Sequence, residues 1–206
     1  MLIGIAGGSG SGKTTLANMI VKEIGKDKVL ILSLDRYYKD LSKMKPKERE
    51  KVNFDHPNAI DWPLFKRHVK QLLKGESIKA PIYSFAEHVR TGYKTLKSKD
   101  VIIVEGIFAL YDREICNLMK VRIFIETPAD IRLIRRLQRD VIERKRNIKS
   151  IIDQWVKYVR PGHEIFVEPT SKVAHVIIPE DPEGGMRKVA VKLIKSLVKE
   201  FVRKKK

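Results

Sequence analysis

Apolar positions in this chain fall into short unbroken runs separated by longer stretches with helical spacing. The runs are Leu2 to Ala6, Val29 to Leu34, Val101 to Val104, Val121 to Ile125 and His175 to Ile178. A strand covered on both faces reads this way, because neither face has to meet water. Between the runs, Leu16, Ala17, Met19, Ile20 and Ile24 recur at the three-to-four spacing of a helix that buries one side. Pro128 to Arg146 has the same rhythm, with Ile131, Ile134, Leu137 and Val141 expected to face inward, and Val189 to Val202 is amphipathic as well. Strands alternating with helices predict an α/β fold around a five-stranded parallel sheet. All carboxyl ends of such a sheet lie along one edge, and ligands bind there, where the strand order reverses.

The middle of the chain breaks the alternation. Ser77 to Ile82 and Gly92 to Leu96 flank Tyr83-Ser84-Phe85-Ala86-Glu87-His88-Val89-Arg90 and predict a hairpin-like insertion over 77–96. Its aromatics bracket a histidine on a connection too short to need them for a core. That combination suits a flat heterocycle, and the alternative is a loop cluster packed on the sheet.

The chemistry follows from what each strand delivers to the common edge. The first strand leads into Gly7-Gly8-Ser9-Gly10-Ser11-Gly12-Lys13-Thr14, which fits G-x-x-x-x-G-K-[ST]. Glycines let backbone N–H groups turn inward on phosphates, the lysine reaches the terminal pair, and the threonine hydroxyl suits Mg²⁺. A helix dipole behind the loop adds positive potential. The second strand delivers Asp35 and the third Glu105, two carboxylates suited to an Mg²⁺ shell or to catalysis beside Thr14. The polar side of the 128–146 helix holds Arg132, Arg136 and Arg139, with Arg144 and Arg146 at its end. Mobile arginines supply charge to a transferring phosphoryl group, so this segment, continued to Lys149, is expected to act as a closing lid.

Composition bounds these readings. The 206 residues suffice for one domain with a core of its own. A single Cys116 excludes an internal disulfide, and Met1 to Ala6 lacks the charged start of a signal peptide, so the cytoplasm is the expected compartment. No apolar run reaches the length of a bilayer-spanning helix. The formal charge of +18, from 43 Lys plus Arg against 25 Asp plus Glu, would suit a polynucleotide. A triphosphate site also concentrates cations, and Lys-rich chains are common in hot habitats, so charge alone does not carry a nucleic-acid function. Arg203-Lys204-Lys205-Lys206 reads as a frayed, solvated helix end.

Taken together, the phosphate loop, Asp35-Arg36-Tyr37-Tyr38, Asn53-Phe54-Asp55-His56-Pro57, Pro81-Ile82-Tyr83-Ser84-Phe85 with His88 and Arg90, Val104-Glu105-Gly106-Ile107, and Arg139-Asp140 with Glu143-Arg144 resemble the uridine (uridine-cytidine) kinases. The resemblance runs from the first residues to about Pro179. It implies a P-loop NTPase sandwich of three layers, a single kinase domain with the 77–96 insertion and a 128–150 lid. It implies transfer of the γ-phosphoryl group of ATP, or GTP, to the 5'-hydroxyl of uridine or cytidine with Mg²⁺. Gly7, Gly8, Ser9, Gly10, Ser11, Gly12, Lys13, Thr14 and Thr15 would hold the donor, and Thr14, Asp35 and Glu105 the metal. Asp35 would be the general base, with Lys13, Arg139, Arg144 and Arg146 supporting the phosphates. Asp55, Arg136, Arg139 and Gln154 would meet the sugar, and Tyr83, Phe85 and His88 the base. The family also implies a homo-dimer or tetramer acting on a small molecule, with no nucleic-acid or membrane partner. Arg36, Ser84 and Asn58 depart from its commoner Ser, Asp and Asp. The rival readings are another small-molecule kinase, phosphoribulokinase-like or pantothenate kinase-like, and a nucleic-acid-binding ATPase.

Overall fold

A computed structural model describes residues 1–203. Along the chain the elements are β1 (Leu2–Gly7), α1 (Lys13–Ile24), β2 (Val29–Ser33), α2 (Pro46–Arg49), α3 (Trp62–Leu73), β3 (Ile78–Ser84), β4 (Val89–Leu96), β5 (Val101–Glu105), α4 (Arg113–Leu118), β6 (Val121–Ile125), α5 (Ala129–Ile142), α6 (Ile148–Gln154), α7 (Arg160–Gly162), β7 (Val176–Ile178) and α8 (Gly185–Arg203). Five strands form one parallel sheet in the order β2-β5-β1-β6-β7, and β3 pairs antiparallel with β4 in a separate hairpin. From β1 the chain first builds the half containing β5 and β2, then crosses to β6 and β7. The reversal therefore falls at the carboxyl end of β1, where the phosphate loop begins.

Strand alternation sorts the core into two layers. Ile3, Ile5, Ile103 and Ile123 face Leu16 and Ile20 of α1 and Val191 and Ile194 of α8. Leu2, Leu32, Val104 and Phe124 face Phe65 and Leu72 of α3, Ile115 of α4 and Ile78 and Ala80 at the base of the hairpin. Helices thus cover both faces of the sheet, the expected three-layer sandwich. Each fully buried aliphatic side chain contributes roughly 1.5 to 3 kcal/mol, so the solid apolar runs supply the main stabilisation of the scaffold. Asp61 caps α3 by accepting from the Leu64 N–H at 3.1 Å, and Asp112 caps α4 by accepting from the Ile115 N–H at 3.1 Å.

Two expectations need correction. The hairpin strands reach further than the sequence suggests, so Tyr83 and Ser84 lie within β3, behind a register shift between Ile82 and Tyr83. Ser84 closes the turn: its carbonyl accepts from the His88 N–H at 2.9 Å and its hydroxyl from the Glu87 N–H at 3.3 Å. The second correction concerns α5, which stops at Ile142, leaves Arg144 and Arg146 on the connection to α6, and packs with its charged side inward. Ile134 is 54% exposed, while Arg132, Arg136 and Asp140 are buried. The reason is the neighbour: this helix lies on the backbone of the phosphate loop. Gly10, at φ +82, would place an added Cβ 3.1 Å from the Arg132 Cα. Of the terminal basic run, Arg203 ends α8, and 204–206 lie outside the described residues.

Candidate active site

A cavity of about 930 Å³ opens at the carboxyl edge of the sheet. At one end stands the phosphate loop, where Lys13, at the start of α1, donates from Nζ to the Gly8 carbonyl at 2.8 Å. Thr14 donates from Oγ1 to the Glu105 carboxylate at the end of β5, 3.2 Å away. Asp35 arrives on the single 3₁₀ turn Leu34–Tyr37 that follows β2. Burial, then the negative charge of Glu105, pushes its pKa up to about 6, against the pull of Lys13, Arg144 and Arg139. Burial likewise brings Lys13 down to about 8, although Glu105 and Asp35 oppose the shift. The Asp35 and Glu105 carboxylates, beside the Thr14 hydroxyl, form an oxygen donor set suited to a divalent cation. Among the described residues no cluster of three or more His, Cys, Asp or Glu side chains forms a self-sufficient metal cage.

The wall beside the loop is built by arginines. Arg136 donates to the Ser9 hydroxyl at 3.0 Å and to the Gln154 amide oxygen at 2.8 Å. Arg146 meets the same Gln154 oxygen at 2.8 Å and donates to Ser150 Oγ at 3.1 Å. The fully buried Asp140 is their common counter-charge, with Arg139 at 2.9 Å, Arg146 at 3.3 Å, Arg144 at 3.6 Å and Arg136 at 3.7 Å. One carboxylate facing four guanidinium groups leaves an excess of positive charge toward the cavity, which suits phosphate oxygens.

The far end of the cavity is aromatic. Tyr83 and Phe85 meet edge to face at 5.5 Å, and Tyr38 packs against both. His88 adopts φ +56 at the hairpin turn and stacks on Phe54 with centroids 4.5 Å apart. Burial, then Arg146, lowers its pKa, so its imidazole is held toward the neutral form. The Tyr83 hydroxyl is buried with no hydrogen-bond partner, so a polar group brought by a ligand would satisfy it. Arg90 docks the hairpin on the sheet domain through the Tyr38 carbonyl at 3.2 Å and Asp61 at 3.0 Å. Arg36, at one of the positions that depart from the family pattern, donates to the Pro81 carbonyl at 3.3 Å.

Between the two ends, Asp55 lines the cavity on the turn before Pro57, and its N–H donates to the Asn53 side chain at 2.9 Å. Burial raises its pKa while Arg136 and Arg146 pull it down. Arg144 closes the opposite side, its guanidinium 4.4 Å from the Phe85 ring centroid, so the segment after α5 touches the hairpin directly.

Asp35, Asp55, Glu105 and Gln154 therefore share this one cavity with the arginines and with Tyr83, Phe85 and His88. Ser9, Lys13 and Thr14 represent the loop on its wall, whereas Thr15 is exposed on α1 and does not line it. Sequence reasoning did not single out Tyr38 and Phe54, although both sit inside motifs it quoted. Asp140 entered it only as part of the Arg139-Asp140 motif, with no role assigned. The bonds of Glu180 were not foreseen: it accepts two from Arg135, at 2.9 and 2.8 Å, and one from Thr127 at 3.0 Å. That clamp ties α5 to the segment after β7, and nothing in local sequence signals it.

Comparisons with known proteins agree with this geometry. The model of the Phosphoribulokinase / Uridine kinase family matches residues 2–186. A uridine kinase from Clostridium novyi (strain NT) is 47% identical over 203 residues, covering 98% of this chain and 96% of the relative. A uridine kinase from Halobacterium salinarum is 45% identical over 197 residues, 95% and 85% of the two chains. Among solved structures, phosphoribulokinase from Rhodobacter spheroides superposes with a TM-score of 0.63 at 14% identity, over 86% of this chain and 69% of that one. D-glycerate 3-kinase from Cryptococcus neoformans superposes with a TM-score of 0.58 at 16% identity, over 81% and 78%. At such low identities the structural likeness establishes the P-loop kinase fold alone. A family model spanning nearly the whole chain, with relatives near half identity along their length, establishes more: this chain belongs to the phosphoribulokinase / uridine kinase family.

Proposed function

We propose that the chain transfers the γ-phosphoryl group of ATP to the 5'-hydroxyl of uridine, and also of cytidine, giving the 5'-monophosphates. The observation that carries this is the order of chemistry along one cavity: phosphate loop, then Asp35, then Asp55, then an aromatic and histidine hairpin. The names of the relatives support the nucleoside as acceptor.

In this reading the loop amides and Lys13 hold the donor's β and γ phosphates, and Asp35 accepts the proton of the attacking 5'-hydroxyl. Such general-base help is worth about 10² to 10⁴-fold, and the rest comes from positioning and charge stabilisation. Thr14, Asp35 and Glu105 would hold Mg²⁺, whose charge would offset that building on the phosphate oxygens. Arg139, Arg144 and Arg146 stabilise the equatorial oxygens and exclude water, the competing acceptor. Asp55, with Arg136 and Gln154, takes the ribose hydroxyls. His88 answers either the 4-oxo group of uracil or the 4-amino group of cytosine, because a neutral imidazole offers one donor and one acceptor. GTP is an alternative donor. A dimer or tetramer working in the cytoplasm, without nucleic acid, completes the proposal. Among the described residues no helix is long and apolar enough to cross a membrane.

The test is a panel of nucleosides, ribulose 5-phosphate and pantothenate incubated with Mg-ATP, with products identified by mass. Uridine and cytidine monophosphates are expected. A phosphorylated sugar phosphate or pantothenate, or ATP turnover that needs polynucleotide and yields no phosphorylated small molecule, would overturn it.

A further inference from the structure

The chain from Ile148 to Val173 is one irregular helical rod, with wide turns over Trp155–Val159 and His163–Val167 on either side of α7. Wide turns of this kind are frequent at functional sites. The rod's inward positions are large where they face the core: Ile151, Trp155, Val159 and Val167 are all buried. Gly162 interrupts the series. Its φ of −63° and ψ of −35° are ordinary right-handed helix, open to any residue, and glycine inside a helix costs about 1 kcal/mol relative to alanine. The backbone therefore gives no reason for a glycine here.

The space gives one. An added Cβ at Gly162 would overlap the main-chain oxygen of Asp55 and stand 3.0 Å from the Asp55 Cβ. Asp55 is tethered on its other side by the bond from its N–H to Asn53. It cannot retreat from a methyl group without moving its carboxylate along the cavity wall. The same rod carries Gln154, whose amide oxygen receives both Arg136 and Arg146.

We infer that Gly162 is a positioning residue for the nucleoside: by leaving room behind Asp55 it sets the depth at which that carboxylate stands in the acceptor site. One rod then fixes both sides of the sugar position, Asp55 through the missing side chain of Gly162 and the two arginines through Gln154. This rests on the reading of Asp55 as the ribose carboxylate, and the consequence is specific. The donor site, built on β1 and α1, does not depend on Gly162, whereas discrimination at the ribose hydroxyls does.

The experiment compares wild type, Gly162→Ala and Asp55→Ala in three measurements: KM and kcat for uridine and for 2'-deoxyuridine, direct binding of Mg-ATP, and the thermal midpoint. For Gly162→Ala the expected result is a uridine KM raised tenfold or more and a loss of most of the preference for uridine over 2'-deoxyuridine. Its Mg-ATP affinity should stay within twofold of wild type. A Gly162→Ala enzyme with wild-type uridine KM and wild-type preference would overturn the inference. So would a variant whose Mg-ATP binding and uridine KM worsen together, or one that fails to fold, since either assigns Gly162 to packing. If Asp55→Ala itself keeps the preference, the underlying reading of Asp55 fails. If Asp55→Ala loses the preference and a folded Gly162→Ala keeps it, only the positioning role fails.

Discussion

α5 and α8 are both amphipathic helices packed along one sheet, and they bury opposite faces. α8 turns Ala190, Val191, Ile194 and Val198 onto the aliphatic core it shares with α1. α5 turns Arg132, Arg136 and Asp140 inward and leaves Ile134 and Ile142 to solvent. The difference lies in what each helix meets. α8 meets isoleucines and leucines, so burial of apolar area decides its orientation. α5 meets the polar backbone of the phosphate loop and a cavity, where guanidinium groups find the Ser9 hydroxyl, the Thr127 carbonyl, Gln154 and Asp140. A buried charge is tolerated where it is paired and hydrogen-bonded, and removing one partner is costly only where no other group still neutralises the charge left behind. α8 should therefore serve stability, and α5 activity.

The sharpest probe stands across the cavity from α5. Asp35→Asn should lower kcat by about 10² to 10⁴ while leaving Mg-ATP binding largely in place, as read by steady-state kinetics beside equilibrium binding. A variant retaining more than half of wild-type kcat would remove Asp35 from the role of base. Next in size, Ile194→Ala on α8 should cost about 2 to 5 kcal/mol in denaturant unfolding through lost transfer energy and a cavity. At a temperature where it is still folded, its kcat/KM should stay within twofold of wild type. A large kinetic defect there would blur the division between the two helices.

Arg136→Met on α5 should show the reverse. Losing charge-assisted bonds worth roughly 1.5 to 3 kcal/mol should lower kcat/KM for uridine about tenfold to a hundredfold. Stability should change little, because Arg139, Arg144 and Arg146 still neutralise Asp140. Unfolding at much lower denaturant, with kinetics intact, would contradict the assignment.

The smallest effect is a pH dependence. His163 lies behind α5, its Nδ1 buried without a partner, and burial, then the charges of Arg132 and Lys13, holds its pKa down at about 4. The unfolded chain takes up this proton near pH 6.5 and the folded chain does not, so stability is full above that pH and is lost as pH falls toward 4. Denaturant midpoints should fall between pH 7 and pH 4.5 less steeply in His163→Gln than in wild type. Parallel slopes would exclude His163 as a source of acid sensitivity.

Much of this protein could be read from the chain alone. Solid apolar runs of strand length determine a parallel sheet covered on both faces, because both sides of each strand must leave water. Gly7 to Thr14 determines a phosphate loop, since its chemistry resides in consecutive backbone groups. Asp35 and Glu105 follow from counting what each strand carries to the shared edge. Local pattern could not give the orientation of α5, because amphipathic periodicity says that two faces differ and not which one a neighbour prefers. Nor could it give the convergence of four arginines on Asp140, the clamp at Glu180 or the close approach of Gly162 to the Asp55 backbone. Each depends on segments far apart in sequence, and close packing alone decides which atoms share a position.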